Sequence, residues 1–427
     1  MTLTGALMFS SLLGLLLAGV PVAMALFATS LGSLLLVSGG DLSALGLVAN
    51  TLWNAITPFT LSSVPLYILM GAIISASGLG ARLYGAVATL TSGLPGGLAV
   101  ATTAACTIMA AISGSSVATA AAIGGFAISE MRRFGYTDAQ AAGAVAAGGT
   151  LGILIPPSIP MIVYGVIAEE SIGRLFLAGI LPGLLMAGCF ALYQVWAAWS
   201  RRDTVTEKVR SASFRERLFA LVDLLPMALL IGLILGCIYT GIATPTETAA
   251  LGVGASLVLA LVLSRDLTSD KLVSILLETS RTTTMVLAII AGAMLFGYAL
   301  TTTDVAPRLS QAVAVSHLPP WLVFISINLL FLFLGCFLEV LSVIVITTPI
   351  IMPVVTAFGW DKVWFGVILV INMEMALIHP PMGLNLFIVK SVAPNIPLAR
   401  IMIGALPYVA IMALILATVA LMPGVFS

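Results

Sequence analysis

Charge is what this sequence has least of. Only 8% of its 427 residues are Asp, Glu, Lys or Arg, against 60% hydrophobic, and the 17 basic and 17 acidic groups cancel. So little charge excludes a soluble globular domain, and the balanced sum implies no nucleic-acid partner. With two His and four Cys, a metal cluster is not supported. Cys106, Cys189, Cys237 and Cys336 stand singly in apolar stretches without paired spacing, as small buried hydrophobes do, so no disulfide is expected. There is no His-Glu-x-x-His pair and no Gly-x-x-x-x-Gly-Lys loop, which leaves metal hydrolysis and ATP drive unsupported. No Lys or Arg precedes Arg82; the apolar N-terminus lacks the basic region of a cleavable signal peptide and is expected to stay in the lipid bilayer. What remains is an all-α polytopic membrane protein that is not an enzyme.

The apolar runs set out the spans. Leu3 to Val37, with Pro21 in its middle, is one bent helix or two short ones within an N-terminal scaffold segment, 1–60. Val64 to Ala76 reads as the core of a span. Leu98 to Ile128 is rich in Ala, Gly, Ser and Thr and is interrupted by Ser113-Gly114-Ser115-Ser116, which predicts a re-entrant hairpin over about 98–130. Ala139 to Ile167 carries no charge; as one helix it would be roughly 43 Å long, against a bilayer core of about 30 Å. Pro156 and Pro157 cannot continue its hydrogen-bond ladder, so a broken helix is expected, whose freed carbonyls must be met by protein, water or an ion. Leu175 to Trp199 closes a first unit, 61–199. The polar loop 200–217 follows, then connecting spans in 218–282, including Leu218 to Tyr239 and Thr248 to Leu263, with Thr244-Pro245-Thr246-Glu247 as the turn between them. A second unit, 283–427, holds a span at Thr283 to Leu300, a second hairpin over about 321–355, a second broken helix over about 365–389 and a last span at Ile401 to Leu421.

Orientation follows from the basic residues. Arg201, Arg202, Lys208, Arg210, Arg215 and Arg217 make the loop 200–217 cytoplasmic, and counting spans outward puts 14 of the 17 basic residues on that side. Arg174, Arg308 and Lys362 alone fall on the other.

The two units read as copies. Phe134-Gly135-Tyr136 precedes Pro156, and Phe358-Gly359-Trp360 precedes Pro380, by the same 22 positions. A shift of 224 lays Gly152-Ile153-Leu154-Ile155-Pro156-Pro157 on Ala376-Leu377-Ile378-His379-Pro380-Pro381, and Leu94-Pro95-Gly96-Gly97-Leu98 on Leu318-Pro319-Pro320-Trp321-Leu322. With a two-residue gap, Ala81-Arg82-Leu83 meets Pro307-Arg308-Leu309. Five spans separate the copies, an odd number, so they are inverted in the membrane. Inverted repeats with paired broken helices point to a secondary transporter whose site lies near the midplane.

Each hairpin tip is expected to meet the break of its own copy. Half-helix N-termini suit a carboxylate, while hydroxyls and unpaired carbonyls suit a hard cation such as Na⁺. Candidate Na⁺ ligands are Ser113, Gly114, Ser115, Ser116, Gly152, Ile155 and Pro156 in the first half, and Glu339, Ser342, Pro380, Gly383 and Asn385 in the second. Ser158, His379 and Met382 are candidates for substrate contact. Glu374, a carboxylate at membrane depth, is read as a structural hydrogen-bond partner; His317 lies in a loop without a visible role.

Leu154-Ile155-Pro156-Pro157-Ser158-Ile159, Ser113-Gly114-Ser115-Ser116, Thr244-Pro245-Thr246-Glu247-Thr248-Ala249-Ala250 and Pro380-Pro381-Met382-Gly383-Leu384-Asn385-Leu386-Phe387 together resemble the large membrane subunit of tripartite ATP-independent periplasmic (TRAP) transporters, over nearly the whole chain. The resemblance implies Na⁺-coupled uptake of a small carboxylate across a bacterial inner membrane by an elevator mechanism, with Na⁺ sites where each tip faces its break. It also implies a separate small four-helix membrane subunit, since no such fusion is seen at the N-terminus, and a periplasmic substrate-binding protein. His379 departs from the family pattern, where Thr is expected. The rival readings are a self-sufficient dicarboxylate symporter of the same inverted architecture, an intramembrane enzyme built on the Ser tip, and an ion channel.

Overall fold

The computed structural model describes residues 3–41, 44–200, 211–263, 267–306, 308, 311 and 318–425, and every regular element among them is a helix. Arg201, Arg202, Lys208 and Arg210 of the basic loop lie outside the described residues, as do Arg265, His317, and Pro307 and Leu309 of the gapped anchor.

The N-terminal apolar stretch is two helices, α1 (Leu3–Leu17) and α2 (Val22–Val37), parted by the left-handed Gly19 (φ 79°) and by Pro21. Two further helices stand where no element is expected. In α3 (Ala44–Ile56), Asn50 and Asn54 break up the hydropathy; α5 (Leu79–Leu90) is a short helix with one buried face, whose Arg82 pairs with Asp223 at 2.8 Å. Between them α4 (Ser63–Ala76) is the anticipated span.

The first hairpin is α6 (Gly97–Ser113) and α7 (Ser116–Arg133). The first broken helix is α8 (Asp138–Thr150), a tight turn over Leu151–Ile153, and α9 (Ile159–Ala168). A capping box between Thr137 and Gln140 starts α8, and Ser158 with Pro160 starts α9. α10 (Ile172–Ser200) closes this half.

α11 (Phe214–Tyr239) begins earlier than the apolar run because Ser213 and Glu216 form a capping box, so Arg215 and Arg217 belong to a helix rather than to the basic loop. Thr244 and Glu247 do the same for α12 (Pro245–Leu263): both the backbone N–H and the hydroxyl of Thr244 donate to the Glu247 carboxylate at 2.8 Å. α13 (Ser269–Thr302) is 34 residues long, and the expected boundary between 282 and 283 falls in its middle. The second hairpin is α14 (Pro320–Phe337) and α15 (Val340–Ala357), and the second broken helix is α16 (Lys362–Ile378) and α17 (Leu384–Val392); α18 (Leu398–Leu421) is last. Eight helices among the described residues are long and apolar enough to cross a membrane, and both arms of the second hairpin are among them. At 18 residues, about 27 Å, each arm approaches the bilayer core in length, so length does not separate a re-entrant arm from a span.

The core lies around the N-terminal arms of the two broken helices. From Val363 to Ile378, α16 is buried on every side, and α8 is buried from Ala141 to Thr150. A helix apolar all round belongs inside a bundle, whereas α11 turns Leu218, Phe219, Val222 and Leu229 outward. α18 crosses α8 almost backbone on backbone at Gly143 and Gly404. One polar bridge ties these layers: Gln194 on α10 donates to Thr103 on α6 at 2.8 Å and to Tyr408 on α18 at 3.0 Å. Gln194→Leu is expected to lower stability by about 0.6–1.7 kcal/mol, the range of interhelical hydrogen bonds in membrane bundles. Thermal unfolding in detergent reads it; an unchanged melting curve would mean that the bridge contributes nothing.

Candidate cation and substrate site

Tip one is built from its backbone outward. α6 ends on Gly114, whose φ of 58° is left-handed, and Ser115 turns into extended conformation to cap α7, its hydroxyl accepting from the Ala118 N–H at 3.3 Å. Ser113 shares a hydrogen bond of 2.8 Å with Thr119. Ser116 donates to the Thr150 carbonyl at 3.1 Å, tying the tip to the last turn of α8. Break one receives this tip with no side chain between them. A Cβ on Gly152 would stand 2.7 Å from the carbonyl of Ser115, and one on Gly114 would stand 2.6 Å from the carbonyl of Pro157. The structure therefore brings Ser113, Gly114, Ser115, Ser116 and Gly152 together. Pro156 is buried at the same turn, and Ile155 packs its side chain towards Gly183 on α10. Ser158 is fully buried; its hydroxyl donates to the Ile153 carbonyl and accepts from Met161 N–H, so its polar capacity goes largely to its own turn.

The second half is more open. Glu339 caps α15 in position but makes no side-chain cap, and it is exposed, with Ser342 buried one turn on. His379 ends α16, half-buried, with its Nδ1 3.8 Å from Cys336 Sγ on α14. Break two thus adjoins the end of its own hairpin. Gly383 folds back on the Leu377 carbonyl, leaving no room for a Cβ, and Met382 is 48% exposed beyond it. Asn385 crosses to the other half: it is fully buried against Gly149 of α8, and neither polar atom of its carboxamide has a protein partner. Glu374 is likewise fully buried, and neither oxygen makes a well-formed hydrogen bond among the described residues. It faces the Leu154 backbone at break one.

Two cavities meet at tip one. A pocket of about 120 Å³ lies between Ser115 and Ser116 of tip one, Glu339 and Val340 of tip two, and Leu377 and Leu384 of break two, with Thr282 of α13 on its wall. Both tips thus face one space, which spacing alone does not predict. A second, of about 440 Å³, opens between α4, tip one and α13 and carries Ser75, Ser274, Glu278 and Thr279. Thr282 and Ser115 border both. A further cavity, about 730 Å³ between α5, α7 and α11, includes none of the expected site residues. Sequence reasoning missed the α13 residues because it took the polar run from Ser269 as a connection. The signal was present in Ser274, Glu278 and Thr282, one helical turn apart.

Residues 9–425 match the family described as "Tripartite ATP-independent periplasmic transporter, DctM component". The chain belongs to this TRAP transporter family. It is 40% identical over 367 residues to the C4-dicarboxylate TRAP transporter large permease protein DctM of Pseudomonas aeruginosa, covering 86% of this chain and 85% of that one. It is 34% identical over 412 residues to the sialic acid TRAP transporter large permease protein SiaM of Vibrio cholerae, covering 96% and 95%. Among solved structures it resembles the YdaH transporter of Alcanivorax borkumensis, with a TM-score of 0.63 over 90% of each chain; at 15% identity that likeness speaks for the fold alone. The chain is thus a TRAP large permease subunit, a polytopic membrane transport protein and not an enzyme, and the resemblance read from its motifs holds over nearly its whole length.

Proposed function

We propose that this TRAP permease carries a small carboxylate into a bacterial cell, coupled to Na⁺ and delivered by a periplasmic substrate-binding protein, with a small membrane subunit as its partner and the loop 200–217 on the cytoplasmic side. The observation that carries the reading is the seating of tip one on break one through bare backbone, Gly152 against Ser115 and Ser116, beside a pocket that both tips share. Its oxygen groups are the hydroxyls of Ser115, Ser116 and Thr282, backbone carbonyls and the Glu339 carboxylate, a set for a hard cation, and the described residues hold no cluster of three or more His, Cys, Asp or Glu that would favour a transition metal. The orphaned carboxamide of Asn385 suits the same role, since a buried polar group is costly unless something completes it. The relatives named for C4-dicarboxylates and for sialic acid share the carboxylate group, and this supports the cargo class. An inverted relation between 61–199 and 283–427 would let the two tip-and-break units move together against the remaining helices as an elevator.

Reconstitution in proteoliposomes tests this reading against its rival. Uptake is expected only with the binding protein and small subunit present and a Na⁺ gradient imposed. Uptake by this chain alone would favour a self-sufficient symporter, and current without a Na⁺ requirement would favour a channel. Within the site, Ser116→Ala and Asn385→Leu are each expected to raise the Na⁺ concentration for half-maximal uptake about fivefold, as loss of roughly 1 kcal/mol of polar contact would. Asn385→Leu is also expected to leave thermal stability equal or higher, because it removes an unpartnered buried amide. Unchanged Na⁺ dependence in both variants would remove the cation from this place.

A further inference from the structure

The chamber of about 440 Å³ between α4, tip one and α13 has an unusual wall for a carrier of anions. Among the described residues its only ionisable lining group is Glu278, and its other polar side chains are hydroxyls: Ser75, Ser113, Ser115, Ser274, Thr279 and Thr282. No Lys, Arg or His among the described residues lines it, although Lys271 and Arg281 stand on the same helix. Glu278 is exposed and makes no ion pair among the described residues, so its charge is not spent on a neighbour. Thr279, 7% exposed, and Ser75 both have hydroxyl oxygens that are buried and without a protein partner. These are oxygen donors waiting for a ligand. The chamber runs from Ser274 and Ala76, remote from tip one, to Ser115 and Thr282, where it meets the pocket shared by the two tips.

We infer that this chamber is a cation-selective access route to tip one, with Glu278 on α13 as its selecting group and the hydroxyls of Ser75, Ser274, Thr279 and Thr282 as its lining. A single carboxylate on a narrow low-dielectric wall concentrates cations and repels anions, and hydroxyl oxygens replace part of the hydration shell on the way. The inference rests on the Na⁺-coupled reading and concerns the coupling ion; the carboxylate cargo does not use this route. α13, which contacts the tip from outside both hairpins, then supplies the path to the ion site rather than a ligand of it.

Charge-selective thiol labelling tests this without measuring transport. In a background with Cys106, Cys189, Cys237 and Cys336 replaced by Ala, Ser274→Cys marks the end remote from tip one and Thr282→Cys the end beside it. Each is treated in permeabilised membrane vesicles with a cationic and an anionic methanethiosulfonate of similar size, and the rates are normalised to those of free cysteine. At Thr282→Cys the cationic reagent is expected to be favoured about tenfold or more, the lower end of electrostatic focusing in a cleft. Adding Glu278→Gln should bring the ratio close to one, and Glu278→Lys should invert it. The inference is overturned if the normalised ratio is near one with Glu278 in place, or if Glu278→Gln leaves it unmoved. It is equally overturned if Thr282→Cys reacts with neither reagent while Ser274→Cys reacts with both. Uptake by the wild-type complex with and without a Na⁺ gradient tests the transport reading separately, so the two can fail independently.

Discussion

Gly152→Ala is expected to lower Na⁺-dependent uptake about tenfold or more while the protein still folds. The added methyl would stand 2.7 Å from the carbonyl carbon and oxygen of Ser115 and 2.8 Å from the Ser116 nitrogen, all backbone atoms with no rotamer to yield. Tip one would have to lift from break one. Overpacking of this kind costs about 1–3 kcal/mol, and 1.4 kcal/mol is about tenfold in an equilibrium. The cause is steric alone, because Gly152 does not occupy the left-handed region where alanine would be strained. Gly125→Ala, on α7 with open space around it, is the matched control and should be silent. Sodium titrations of uptake on both variants check this; wild-type behaviour of Gly152→Ala would show that the ion site does not depend on the backbone junction.

Gly404→Ala should have the larger effect on stability. A Cβ there would overlap the Ala139 carbonyl, and one on Gly143 would overlap the Gly404 carbonyl, so α18 and α8 cross with nothing but hydrogen between their backbones. In a bilayer, where lipid tails are as apolar as leucine, such close approach of small residues is what holds helices together. Loss of about 3 kcal/mol is expected, at the upper end for an inserted methyl in a packed core. Because the two glycines share one crossing, Gly143→Ala with Gly404→Ala should cost less than the two single effects added together. Gly188→Ala on α10, which meets open space, is the control. Thermal unfolding in detergent measures all four, and a Gly404→Ala melting curve like that of the wild type would refute the account of the crossing.

Much of this architecture was legible before folding. An uncharged run too long for one helix marked the break at Pro156, and the same Pro-Pro pair 224 positions on marked the break at Pro380, since a proline removes a ladder donor wherever it sits. The Ser-Gly-Ser-Ser tip was legible because only a glycine such as Gly114 turns left-handed without strain and only a side chain such as that of Ser115 caps the next helix. The failures are equally physical. α3 and α5 escaped because short one-sided helices do not raise a hydropathy window, and the first half of α13 was cut from its second half at 282/283 because its polar residues interrupt the apolar run.

By itself the sequence determined the class of this protein, its family and the positions of its breaks and tips, all of which rest on local composition and backbone chemistry. Only the tertiary structure decided which tip meets which wall. That Asn385 of one break is buried against α8 of the other half, that both tips open on one pocket, and that Glu278 overlooks tip one are contacts between residues far apart in the chain. Hydrophobic periodicity selects the face a helix buries but not the partner it meets, and the partner is chosen by packing, here by glycines at 143, 152 and 404 that admit one neighbour's backbone.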